Sequence, residues 1–108
     1  MEKLVRDRIP ELMREVGAVG RFRVAEPTER LKLLLAKLIE EAAELEREPG
    51  PGELADVVEV LRAIKGALGL SDADVENERT RKERARGGFR DGFVLLLNDM
   101  EQSERELP

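Results

Sequence analysis

The sequence has 108 residues with 41% hydrophobic, 40% charged and only 3% aromatic residues, which predicts one compact domain over 1–108 built from amphipathic helices packed by Leu, Val, Ile and Ala. It contains no Cys and no His, so disulfides, thiolate metal sites, Cys nucleophiles and imidazole bases are excluded, and any metal must be a hard cation on oxygen such as Mg²⁺ or Mn²⁺. A net charge of −5 without an aromatic platform argues against nucleic acid as a partner.

Residues 1–16 read as a short helix, with Pro10 making its first turns irregular and Gly17 and Gly20 ending it. Residues 21–24, Arg-Phe-Arg-Val, alternate basic and apolar and predict a short strand. Glu26-Pro27-Thr28-Glu29 is a helix start with Thr28 as the expected N-cap. The second helix then runs over about 29–48, with Leu31, Leu34, Leu35, Leu38, Ala42 and Leu45 as its main apolar stripe. Pro49-Gly50-Pro51-Gly52 is the sharpest break, short enough to fold the next helix back antiparallel. That helix spans about 52–68, with Leu54, Val57, Val58, Leu61, Ile64 and Leu68 expected inward.

Gly69 closes the third helix, and Ser71 with Asp74 three residues on opens a last one through about Arg86 as an approximate capping box. The last helix carries few apolar residues and should be exposed. Gly87-Gly88 ends it, and 89–97 predict a strand or hairpin that could pair with the Phe22 segment. The tail after Asn98 is polar and expected to fray. No apolar run reaches membrane-spanning length and no signal peptide precedes the charged start, so the expectation is a cytoplasmic protein with no membrane partner.

The chemistry of the chain is concentrated in its carboxylates. Glu41 and Glu44 lie three apart on the second helix, and Glu53 and Asp56 three apart on the third, so each pair shares a face. Hairpin geometry pairs Glu44 with Asp56, sets Glu41 near Glu59 or Val60, and leaves Glu59 as a fifth candidate. From spacing alone a solvated acidic face is the simpler account. Against it, Asp56 shares a strip with Val60, Ala63 and Ala67, and Leu33 falls on the side of Glu40 and Glu44. Acids set among apolar residues and near each other resist charging unless a cation neutralises them. The second apolar strips also need cover, which predicts a homodimer or homotetramer.

At these residues the sequence resembles the MazG-like, all-α nucleotide pyrophosphohydrolases, which include phosphoribosyl-ATP pyrophosphohydrolase. The likeness rests on Glu41-Ala42-Ala43-Glu44 and Glu53-Leu54-Ala55-Asp56, which fit a Glu-x-x-Glu, gap, Glu-x-x-Asp signature. It extends to Lys3-Leu4-Val5-Arg6-Asp7-Arg8-Ile9-Pro10, Lys37-Leu38-Ile39-Glu40-Glu41-Ala42, Asp56-Val57-Val58-Glu59-Val60, and Lys82 through Phe89. The resemblance implies an all-α fold, an antiparallel helical bundle around a central helix hairpin; residues 21–24 and 89–97 leave room for a small two-stranded element.

Carried over residue by residue, it implies that Glu41, Glu44, Glu53 and Asp56 ligate Mg²⁺, with Mn²⁺ as a substitute. Glu40 would stand beside them, and Glu40 or Glu41 would orient or deprotonate water. Lys82 and Arg86 would meet the substrate phosphates; otherwise they are a basic helix end favoured by the helix dipole. For Lys3, Arg6 and Arg8 the choice lies between contact with substrate and ordinary surface charge, with surface charge the nearer reading. The implied reaction is Mg²⁺-dependent hydrolysis of a nucleoside triphosphate at the α–β phosphoanhydride, giving monophosphate and pyrophosphate for nucleotide-pool housekeeping. The alternatives are the phosphoribosyl-ATP reaction of histidine biosynthesis, which the basic amino-terminal motif disfavours, and a non-catalytic helical module for dimerisation or nucleotide binding.

Overall fold

The structure is a computed structural model that describes residues 2–96. Four helices occur among these residues and no strand: α1 (Ile9–Glu15), α2 (Arg30–Arg47), α3 (Pro51–Ala67) and α4 (Asp72–Arg86). The all-α expectation therefore holds. Two compact units divide between Leu70 and Ser71. No helix among the described residues is long and apolar enough to cross a membrane.

In the first unit, α1 is shorter than residues 1–16 allow. Arg8 is its N-cap and Pro10 stands in its first turn. The proline ring restricts the residue before it and offers no N–H, so helix cannot run through it from the amino-terminal side. Gly17 at φ +74° breaks the chain away beyond the C-cap.

The expected strand at 21–24 does not form. Its Arg23 is instead gripped by two carboxylates: Nη2 lies 2.9 Å from Glu2 Oε1 and Nη1 lies 2.7 Å from Glu29 Oε2. Phe22 and Val24 stay exposed. Without a partner strand an extended run satisfies its backbone in water, and the ion pairs fix its place. The α2 N-cap is Glu29 rather than Thr28. The Glu29 carboxylate accepts from its own turn, with Glu26 N donating to Oε2 at 2.9 Å. Arg23 and that backbone amide together hold the Glu29 carboxyl down at about 2.

The turn at Pro49-Gly50 then reverses the chain. Pro51 sits in the first turn of α3, where a missing N–H costs nothing. α2 and α3 pack on each other as an antiparallel hairpin. The core is a narrow seam of Leu34, Val60 and Ile64, flanked by Leu4, Leu31 and Leu38. Leu34, only 6% exposed, is the most deeply placed. Burial of each such aliphatic side chain contributes about 1.5–3 kcal/mol.

This seam corrects the expected inward stripe. Val60, read from sequence as part of a second strip, lies in the core, whereas Leu35, Leu54, Val58, Leu61 and Leu68 are exposed. The leucine stripe on each helix is wider than a single two-helix contact can cover, so the seam buries only one line of it. By helical phase, the uncovered residues Leu35 and Ile39 on α2 and Leu54, Val58 and Leu61 on α3 fall on one flank of the hairpin. Glu41, Glu53 and Asp56 fall along the seam instead, away from that flank.

In the second unit α4 has no buried residue. It begins at the capping box anticipated in the sequence: Asp74 N donates to Ser71 Oγ at 3.0 Å, and Ser71 N donates to Asp74 Oδ2 at 2.8 Å. Gly87 at φ +83° ends it. The residues beyond do not form the expected strand or hairpin as far as they are described. Gly92 at φ +66° donates its amide to Phe89 O at 3.2 Å, a turn that interrupts any extended run. Phe89 is 99% exposed and Phe93 is nearly so. Leu97 and the tail after Asn98 lie outside the described residues.

Candidate functional site

The hairpin brings three carboxylates to one place. One oxygen each from Glu41 on α2 and from Glu53 and Asp56 on α3 lie within 4.8 Å of one another. Each of the three side chains is half-buried. The local cause is plain. Glu53 occupies the first turn of α3, where the helix dipole favours negative charge, and Asp56 follows in the second. Both lie on the arc of α3 that also carries Val57, Val60 and Ile64, so packing of the seam carries them toward α2. Glu41 stands seven residues, two turns, after Leu34 and faces the same way.

Like charges this close disfavour ionisation. The Glu53 carboxyl is pushed up, first by partial desolvation and then by Asp56, Glu44, Glu48 and Glu41. Three hard oxygen donors suit a small divalent cation. Octahedral Mg²⁺ bonds oxygen at about 2.0–2.1 Å, so its ligand atoms stand about 3–4 Å apart, a spacing that side-chain rotation can reach from here. Glu41, Glu53 and Asp56 are thus the residues that could hold Mg²⁺ or Mn²⁺.

Several cations already stand at the cluster. Lys37 Nζ lies 3.2 Å from Glu41 Oε1 and 3.3 Å from Glu40 Oε1. That pairing is the most sheltered at the site, with Lys37 and Glu41 only 15% and 13% exposed. Glu40 also meets Lys3 Nζ at 3.3 Å. Although partial burial would raise the Glu40 carboxyl, Lys37 and Lys3 together hold it below its ordinary value. Arg6 Nη2 donates to Asp56 Oδ1 at 2.7 Å.

Of the four carboxylates expected from sequence, the structure thus assembles Glu41, Glu53 and Asp56. Glu44 stands one turn beyond Glu41 and pairs with Arg47. It remains near enough for its charge to raise Glu53. Glu53, rather than Glu59, completes the cluster. Hairpin register explains the changed partner: Glu53 reaches Glu41, where spacing alone paired Asp56 with Glu44. Lys82 and Arg86 lie four apart on one face of α4 in the second unit. The three-carboxylate cluster is complete within the first.

Two basic residues that meet the cluster, Lys37 and Arg6, were not placed there from the sequence. Lys37 carried a usable signal, since it precedes Glu40 and Glu41 by three and four residues on the same helix. Arg6 carried none of that kind, being fifty residues from Asp56 in sequence. Comparison with protein-family models, curated proteins and solved structures finds no match for the chain.

Proposed function

We propose that the protein is a divalent-cation-dependent nucleotide pyrophosphohydrolase. The observation that carries this reading is the meeting of Glu41, Glu53 and Asp56, three of the four residues of the MazG-like signature, at one half-buried point. Glu41, Glu53 and Asp56, with Glu44 within a turn, would hold Mg²⁺ or Mn²⁺. When bound, the cation supplies charge neutralisation for a phosphoanhydride that approaches an otherwise acidic surface. Glu41 or Glu40 would accept the proton from the attacking water. The oxygen of that water bonds to phosphorus, the α–β anhydride bond breaks, and pyrophosphate leaves with its electron pair. No imidazole is needed in this scheme. For Lys82 and Arg86 the phosphate-binding role rests on side-chain chemistry and on the family resemblance alone.

The uncovered apolar flank supports the assembly expected from sequence. Ile39 is 73% exposed there, and Leu35, Leu54, Val58 and Leu61 are exposed with it. Such a contiguous apolar face on a thin hairpin is suited to a second copy of the chain, giving a homodimer or a homotetramer.

The test is pyrophosphate release from a panel of nucleoside triphosphates and phosphoribosyl-ATP, with Mg²⁺ or with EDTA. Metal-dependent release from one or a few substrates is expected, and the panel identifies the base. No release from any substrate by a well-folded protein would overturn the reading. One observation favours the rival, a non-catalytic helical module: Lys37 and Arg6 already neutralise Glu41 and Asp56 without a metal. That module predicts full thermal stability in EDTA and no Mn²⁺ binding.

A further inference from the structure

The amino-terminal segment crosses the hairpin at its carboxylates and is fastened there at three points. Leu4 packs against the Leu34–Val60–Ile64 core. Lys3 Nζ reaches Glu40 Oε1 on α2 at 3.3 Å. Arg6 Nη2 reaches Asp56 Oδ1 on α3 at 2.7 Å. The segment therefore straps both helices, with an apolar anchor between two cations. Its Arg6 charge is also drawn by Glu59 and Glu41. A guanidinium beside three converging carboxylates does what a bound cation would do, and it opposes the entry of one.

We propose that Arg6 is an exchangeable counter-ion: it neutralises Asp56 in the metal-free protein and turns to the phosphates when a metal–nucleotide complex seats at the cluster. This rests on the hydrolase reading above. Three features support the exchange. The Arg6–Asp56 pair is open to solvent, at 57% and 40% exposure, and exposed pairs are weak enough to part readily. The planar guanidinium fork binds phosphate oxygens in the same two-pronged geometry as carboxylate oxygens. Leu4, two residues away and held by the core, keeps the backbone of the strap in place after the side chain lets go. A nucleotide seated at these carboxylates would offer its phosphate oxygens to the freed guanidinium.

The exchange predicts two effects of opposite sign from a single substitution. In the full-length protein, Arg6→Ala should bind Mn²⁺ more tightly in the absence of nucleotide, by roughly two- to fivefold, the scale of an exposed ion pair. The same variant should show a KM for the Mg²⁺–nucleotide complex raised by roughly tenfold, the scale of one lost hydrogen bond to a charged group, with kcat less affected. Calorimetric Mn²⁺ titration and steady-state pyrophosphate release read the two effects. Arg6→Lys should restore the weaker Mn²⁺ binding but only part of the KM, because it keeps the charge without the fork. Arg8→Ala, which loses only a pair with Glu11 on α1, should change neither.

If Arg6→Ala misfolds by circular dichroism, Arg6→Gln takes its place. A wild type that turns over while the Arg6 variant leaves both quantities unchanged, or moves them together, overturns the exchange and leaves the hydrolase reading standing. Absence of both Mn²⁺ binding and turnover in wild type and variant overturns the hydrolase reading and the exchange with it.

Discussion

The α2–α3 hairpin and α4 are helices of similar length held by different physics. α2 and α3 have no side-chain N-cap, yet they share a buried seam. α4 has no buried residue and relies on local devices instead. Its capping box satisfies amides at the start, and Arg79 and Arg81 pair with Glu76 and Glu78 three residues before them at 2.7 and 2.8 Å. A helix with packing can dispense with caps; one without packing depends on them. The difference bears on function, because the candidate carboxylates all sit on the packed pair. Repelling groups need a backbone that does not yield, and only tertiary packing supplies that.

The largest effect should come from the seam itself. Leu34→Ala removes the most deeply buried side chain of a three-residue core and should destabilise the hairpin by about 2–5 kcal/mol. Urea denaturation and amide exchange in α2 and α3 would measure it. A loss below about 0.5 kcal/mol, the size of an ordinary surface substitution, would mean that the seam does not hold these helices.

Next in size is the chemistry that the seam supports. Glu41→Gln and Asp56→Asn should each lower kcat/KM for the Mg²⁺–nucleotide by at least about a hundredfold, the upper end of what even outlying metal-site partners cost. Circular dichroism should show the fold intact, which separates this effect from that of Leu34→Ala. Activity retained in both variants would remove the cluster from the reaction.

On α4 the matching prediction is smaller and local. Ser71→Ala deletes the hydroxyl that accepts from Asp74 N and should cost about 1 kcal/mol of helix stability. Amide exchange in 72–86 should rise. Unchanged protection there would show that something other than the cap holds α4.

The two regions were also unequally legible in the sequence. α4 could be read almost residue by residue, because its determinants are local: Ser71, Asp74, and the glycine that ends it. The existence of the hairpin was legible too, from its periodicity and the Pro-Gly turn. Its rotation was not. Which arc of a wide leucine stripe meets its partner depends on the partner, and so Val60 rather than Leu54 or Leu61 reached the core. That rotation also decided the site. It brought Glu53 into the cluster, a choice that spacing within one helix cannot encode, while Glu44 pairs with Arg47 three residues on in α2. Arg6 depends on a contact fifty residues long, and the failed strands at 21–24 and 89–96 depended on partners that alternation alone does not supply.

Acid should separate the regions most finely. Among α4 groups, the Asp74 carboxyl lies below its ordinary 3.8 because the Ser71 backbone amide and hydroxyl bond it, and Glu76 lies below its ordinary 4.5 because Arg79 does. Such groups stabilise the helix fully above their ordinary values, and that contribution is lost as pH falls through those values toward the lowered native ones. Glu53 on the hairpin has the opposite sign. Its raised carboxyl takes up a proton earlier than an unfolded glutamate would, which relieves repulsion at the cluster as pH falls. The Cα chemical shifts of 72–86 should therefore move toward coil between about pH 5 and pH 3, the ordinary carboxylate range. Over the same span Glu53→Gln, which removes the repulsion at neutral pH, should raise the midpoint of hairpin unfolding above wild type near pH 7 and lose that advantage in acid. A variant advantage that does not shrink on acidification would mean that Glu53 feels no repulsion from its neighbours, and the case for a cation at the cluster would lose its electrostatic basis.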